Sequence, residues 1–127
     1  MKRRVVTFST TTRGRLIGYK VMAFDPDTRE LVSGANSAIH LLLQEGAIHT
    51  MPGAGIFLAA SWQYVLDHYA HHDVNALLTY AFDPAALTRG NLTDREPEIA
   101  VPSAELIRYR LLDADLQPAS VLLWRLI

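Results

Sequence analysis

Short apolar stretches separated by turn residues dominate the hydrophobic pattern of this chain. Residues 16–24 alternate so that Ile17, Tyr19, Val21 and Ala23 share one face, which predicts a β-strand. A turn at residues 25–28 follows, because proline fixes φ and aspartate can close the turn. Residues 38–43 are compatible with either a strand or a buried helix. Further strands are predicted at residues 4–9, 30–33, 46–51, 56–59, 76–82, 98–101, 106–112 and 121–127.

One segment has the periodicity of an amphipathic helix. Ser61 is a good N-cap residue, and it precedes apolar residues at the i, i+3, i+4, i+7 spacing of one buried face: Trp62, Val65, Leu66 and Tyr69. We therefore predict one main helix at about residues 61–71, and a single helical turn at residues 85–87. Several strands with one helix predict a compact α+β domain with a mostly antiparallel sheet.

Composition restricts the possible classes of protein. The chain has 127 residues, of which 50% are hydrophobic and 20% charged, so we expect a single domain over residues 1–127. A formal net charge of −1 predicts no nucleic-acid partner. The chain has no cysteine and no apolar run of the ~20 residues that span a bilayer. We expect a cytoplasmic protein without membrane contact.

Two histidines lie four residues apart near the end of the predicted helix. His68 and His72 have a spacing that can bind zinc when a third ligand is supplied elsewhere. Histidines in a last helical turn also complement the helix dipole. Tyr69 replaces the glutamate that follows the first histidine in zinc-protease helices, so we favour the second interpretation and expect no metal site.

A glycine-rich loop and a carboxylate at a strand start are the other candidates for chemistry. Gly53 and Gly55 flank Ala54, and such a loop either brings backbone amides to a phosphate or is a plain tight turn. Glu98 begins the strand at 98–101, two residues after Glu96. A carboxylate there can stabilise an oxocarbenium-like centre, although a charged loop end is the simpler interpretation.

The order of these features resembles the ADP-ribosyltransferase-like superfamily, in the branch of diphtheria toxin and the poly(ADP-ribose) polymerases. The resemblance lies in the strand after Gly55, the helix ending in Tyr69-Ala70 and the strand at 76–82. It implies a split two-sheet fold that binds NAD, with Phe57 and Tyr69 sandwiching the nicotinamide. It further implies backbone contacts near Gly18, Tyr19, Gly53 and Gly55, with Glu98 as the catalytic glutamate.

The resemblance breaks at the family's first motif. That motif carries a histidine or arginine for the adenine-side ribose, whereas the matching stretch here is Gly18-Tyr19-Lys20-Val21. The same stretch is also similar to small domains of bacterial and phage proteins.

Two hypotheses about function follow. In the first, the protein transfers ADP-ribose from NAD to a protein or small-molecule acceptor. In the second, it is a non-catalytic module that binds a protein partner. The second hypothesis includes a homodimer formed through the apolar strand at residues 121–127, where Trp124 lies.

Overall fold

The computed structural model describes residues 8–11, 13–32, 40–68, 75–90, 92 and 98–112. Those residues form eight strands, one α-helix (α1) and a 3₁₀ turn at Pro84–Ala86. The strands are β1 Leu16–Asp25, β2 Glu30–Val32, β3 His40–Leu42, β4 Ile48–Thr50, β5 Ile56–Ala59, β6 Ala76–Phe82, β7 Glu98–Val101 and β8 Ser103–Leu111. Helix α1 spans Trp62–His68 and lies between β5 and β6.

The predicted α+β class is confirmed, because the described chain is mostly antiparallel sheet with one helix. The strands at 56–59, 76–82 and 98–101 have the predicted bounds. Residues 38–43 were ambiguous, and His40–Leu42 within them form a strand. Strand β8 begins three residues earlier than predicted, because Pro102 alone makes the break and Ser103 already pairs with Thr50. Several predictions fall outside the described residues. They are the strand at 121–127, the part of the predicted helix after His68, and the candidate residues Tyr69, His72 and Glu96.

All the strand pairs are antiparallel, and the strands follow the order β3-β2-β1-β6-β8-β4. Strand β5 lies off this path, and it pairs with β7 and with β1. Only Pro102 separates β7 from β8, so those two strands form one bent segment. The segment β4–β5 bends in the same way at residues 51–55. It pairs with the β7–β8 segment, because β4 pairs with β8 and β5 pairs with β7. The bend returns β5 to β1 at the pair Tyr19–Ala59, so the sheet curls back on itself.

A close backbone approach at Gly55 makes the bend possible. Gly55 has φ +98°, a conformation that side chains disfavour. A Cβ at this position would overlap the carbonyl oxygen of Val101 and come within 3.0 Å of the Cα of Pro102. The two bent segments therefore touch at their corners through backbone atoms, and only glycine fits between them.

The concave side of the curled sheet encloses the larger hydrophobic cluster. Alternate residues of β1, β6 and β8 point into it, and Phe8 packs edge-to-face on Phe82 with ring centroids 5.5 Å apart. Its fully buried members include Met22, Ile56, Leu58, Leu78, Tyr80, Ile99, Val101 and Leu106.

Helix α1 packs on the convex side of the sheet. Ser61 caps it as predicted, since its hydroxyl oxygen accepts the Tyr64 N–H at 3.3 Å. Val65 is its buried residue and contacts a second hydrophobic cluster that includes Val21, Ala59 and Leu77. The prediction that Trp62 is buried was wrong, because 41% of it is exposed.

A buried histidine links three strands inside the sheet. The Tyr80 hydroxyl on β6 lies 2.6 Å from Nδ1 of His49 on β4, and Nε2 lies 2.8 Å from the carbonyl oxygen of Leu42 at the end of β3. Since a carbonyl only accepts, Nε2 carries the proton and Nδ1 accepts from the tyrosine. Burial lowers the pKa of His49 and raises the pKa of Tyr80, so both side chains are held neutral.

We expect the glycines of the 52–55 loop to differ in their tolerance of alanine. Gly53→Ala meets no atom within 4 Å and should cost about 1 kcal/mol for its positive φ. Gly55→Ala must also displace the backbone at Val101, so it should cost about 3 kcal/mol or more of unfolding free energy. Urea denaturation of both variants measures the difference, and equal losses would contradict the proposed corner contact.

We also expect unfolding free energy to decrease as the pH falls below about 6.5, the ordinary pKa of histidine. Between that value and the lowered pKa of folded His49, the unfolded chain binds more protons than the folded chain. Stability is therefore retained above pH ~6.5 and lost below it. Urea denaturation across this range should show a slope that His49→Gln flattens. The control His40→Gln changes an exposed histidine and should keep the slope.

Candidate functional site

The pairing registers place five residues in one row across the convex face. Glu98 on β7 pairs with Ala59 on β5, which pairs with Tyr19 on β1. Tyr19 also pairs with Thr79 on β6, which pairs with Arg108 on β8. Paired residues of neighbouring antiparallel strands point to the same side of a sheet. The row, which we call the convex row, therefore carries a carboxylate at one end, a guanidinium at the other and two hydroxyls between.

A register shift places Arg108 in this row. Tyr80 pairs with Leu106, but Thr79 pairs with Arg108, so Ile107 is an extra residue on β8 opposite this step. Such a bulge changes which face the following residues occupy. Leu106 is buried in the core before the bulge, and Arg108 and Arg110 are exposed after it. The bulge thus directs two cations to the convex face.

A cavity of about 310 Å³ lies on this face beside helix α1. The helix contributes Trp62 and Leu66. The three central strands and Leu112, which follows β8, contribute the other walls: Tyr19, Leu77, Thr79, Arg108, Arg110 and Leu112. Leu77 and Leu112 are buried and belong to the cluster under the helix, so the cavity has an apolar floor. Aromatic rings, a hydroxyl and guanidinium groups complete a wall suited to an amphiphilic ligand.

The charge of Arg108 is not neutralised by the described part of the cavity wall. Its described lining contains no aspartate or glutamate. Arg15, by contrast, forms an ion pair with Glu105 at 2.7 Å elsewhere on the sheet. The guanidinium of Arg108 has no hydrogen-bond or ion-pair partner among the residues that the structure describes. This guanidinium is available to an anion that enters the cavity.

Glu98 interacts electrostatically with Lys20, which follows Tyr19 on β1. Burial lowers the pKa of the Lys20 ammonium, and the negative charge of Glu98 opposes this effect by raising it. Successive strand residues point to opposite faces, so Lys20 points away from the side that carries Tyr19. The carboxylate end of the convex row is thus within electrostatic reach of a partly desolvated amine on the other side of the sheet.

The described residues predicted to bind NAD occupy four different places. Tyr19 lines the cavity, and Glu98 lies in the convex row without lining the cavity. Phe57 lies two residues before Ala59 on β5, is 38% exposed and also lies outside the cavity wall. Gly18 points to the opposite face, where a Cβ would lie 2.7 Å from Cβ of Leu58.

The loop glycines form the fourth place. Gly53 and Gly55 lie in the turn between β4 and β5, and neither lines the cavity. Gly55 is required for the corner contact with Val101, while Gly53 is open to its surroundings. Tyr69, the predicted second nicotinamide contact, lies outside the described residues.

Sequence reasoning missed Thr79, Arg108 and Arg110 as candidate ligand contacts. A signal was present: residues 104–111 alternate apolar and charged, and the alternation breaks at the adjacent apolar pair Leu106-Ile107. That break indicates a bulge, with both arginines on the face opposite Leu106. Thr79 had no such signal, because its place beside Arg108 depends on strand register.

His68 forms no metal centre with other residues that the structure describes. The described chain contains no group of three or more His, Cys, Asp or Glu residues that could hold a metal ion. His68 instead stacks on Tyr64, with ring centroids 5.1 Å apart and an angle of 21° between the planes. His72 lies outside the described residues.

Comparison with known proteins gave no match to a family model, a curated protein or a solved structure. Within the described ranges, no helix has the length and apolar character needed to cross a membrane.

Proposed function

We propose that this domain binds a small aromatic ligand of nucleoside or nucleotide size in the cavity beside helix α1. The observation that carries the proposal is the composition of the cavity wall. Two aromatic side chains, Tyr19 and Trp62, face a space with an apolar floor and a polar side. Ligand sites in proteins are typically apolar clefts with a few convergent polar groups.

The cavity volume sets the size of the ligand. About 310 Å³ is at the low end of the roughly 300–1,000 Å³ typical of small-molecule sites. A mononucleotide matches this space, and a dinucleotide such as NAD would place one half inside and extend the other across the convex face. Trp62 is 41% exposed, so its ring forms the rim that a ligand passes or stacks against.

Trp62 offers a direct test of occupancy. The chain contains two tryptophans, Trp62 and Trp124, so Trp124→Phe leaves the cavity residue as the single indole reporter. We expect adenosine, AMP or NAD to change its fluorescence saturably in this variant. Tyr19→Ala should weaken the binding about tenfold, because one stacking contact is worth about 1–3 kcal/mol.

The control for this experiment is Phe57→Ala, which removes a partly exposed aromatic residue outside the cavity. It should leave the affinity unchanged. If no ligand of the three produces a saturable change, the proposed function is wrong.

ADP-ribosyl transfer from NAD to a protein or small acceptor is a second candidate. One observation favours it: Glu98 and Tyr19 lie in the same convex row, with only Ala59 between them. Neighbouring strands lie about 4.8 Å apart, so Glu98 is about 10 Å from Tyr19 along the row. A dinucleotide that leaves the cavity past Tyr19 can span that distance. The split two-sheet fold implied by the resemblance remains part of this candidate.

For the second candidate, Glu98→Gln should abolish NAD hydrolysis or ADP-ribose transfer and leave NAD affinity within about twofold. The carboxylate would stabilise the developing positive charge on the ribose, an effect that usually gives about 10²-fold or more in rate. Release of nicotinamide from labelled NAD measures this. Glu45→Gln, at an exposed position in the turn before β4, is the matched control. An active Glu98→Gln protein would exclude Glu98 as the catalytic group.

A further inference from the structure

Arg108 and Thr79 lie side by side on the wall of the cavity. They pair directly across β8 and β6, so their Cβ atoms are separated by about 4.5–5.5 Å. Tyr19 is the next residue of the same row on β1. The wall therefore changes within three neighbouring strands from a guanidinium to an aliphatic hydroxyl and then to an aromatic ring.

Charge favours an anion at the Arg108 end. Arg108 has no ion-pair partner among the described residues, and the described lining contributes no acidic side chain. Arg110 lies two residues further along β8 and lines the same cavity. A guanidinium presents its N–H groups as a planar fork that fits two oxygens of one oxyanion.

The number of acceptor oxygens distinguishes a phosphate monoester from a carboxylate. The fork of Arg108 engages both oxygens of a carboxylate, so the Thr79 hydroxyl would have to share one of those oxygens with the guanidinium. A phosphate monoester has three terminal oxygens, so it can accept from the fork and from the hydroxyl together. The Arg108–Thr79 pair therefore suits a phosphate monoester better than a carboxylate.

We propose that the ligand is a phosphate monoester of a nucleoside-like molecule, with its phosphate at Arg108 and Thr79 and its ring toward Tyr19 and Trp62. This inference rests on the function proposed above and adds the chemical class of the ligand. The apolar floor and the aromatic rim accommodate the ring, and the adjacent cationic side accommodates the phosphate.

The test compares AMP, adenosine and adenosine-5′-carboxylate in the Trp124→Phe background at low salt. We expect AMP to bind at least about tenfold more tightly than adenosine, as charge-assisted hydrogen bonds usually give. The carboxylate should fall between the two. Arg108→Gln should remove the preference for AMP and leave the adenosine affinity unchanged. Thr79→Val, which keeps the shape of the side chain, should reduce the preference for AMP over the carboxylate.

Arg89→Gln is the control, because it removes the same charge from an exposed residue that does not line the cavity. It should keep the full preference for AMP. Equal affinities for AMP and adenosine would overturn the phosphate inference while the proposed binding function stands. Equal affinities for AMP and the carboxylate, or an equal effect of Arg89→Gln, would also overturn it. Absence of binding by all three ligands would overturn both.

Discussion

The close approach of Gly55 to Val101 is the constraint on which the curled sheet depends. Antiparallel segments that bend together must let one corner come near the other, and here only backbone atoms fit between them. Pro102 ends the ladder at the same corner, since proline has no N–H to donate. β4 pairs with β8 before the bend, and β5 pairs with β7 after it. The same bend brings β5 next to β1.

The pairing of β5 with β1 forms both the surface on which the helix packs and the convex row. Ala59 stands between Tyr19 and Glu98 in that row, and its small side chain allows Val65 of the helix to pack close to the sheet. The helix then covers one part of the convex face and forms one side of the cavity. Thr79 and Arg108 of the row line the cavity beside the helix, so their polar groups keep access to a ligand.

The sequence predicted most strands and the helix start, because their signals are local. Turn residues, alternation and the Ser61 cap all act within a few positions of the chain. Glu98 and Tyr19 were also identified from the sequence, although no local signal placed them in one row. That relation requires the pairing of β1 with β5 and of β5 with β7, which are contacts between segments about 40 residues apart or more. Such pairings depend on register, and single-sequence patterns do not determine register.

The bulge at Ile107 connects the apolar and charged pattern of β8 to the register in which β8 pairs with β6. In an unbroken strand, inward-pointing Leu106 would be followed by inward-pointing Arg108 and Arg110, and burial of two guanidinium groups in an apolar core is prohibitive. One extra residue resolves the conflict, because it shifts the phase of the strand and lets Tyr109 and Leu111 pack against the core instead. The same shift brings Arg108 opposite Thr79. The cationic side of the cavity is thus a consequence of keeping charge out of the core.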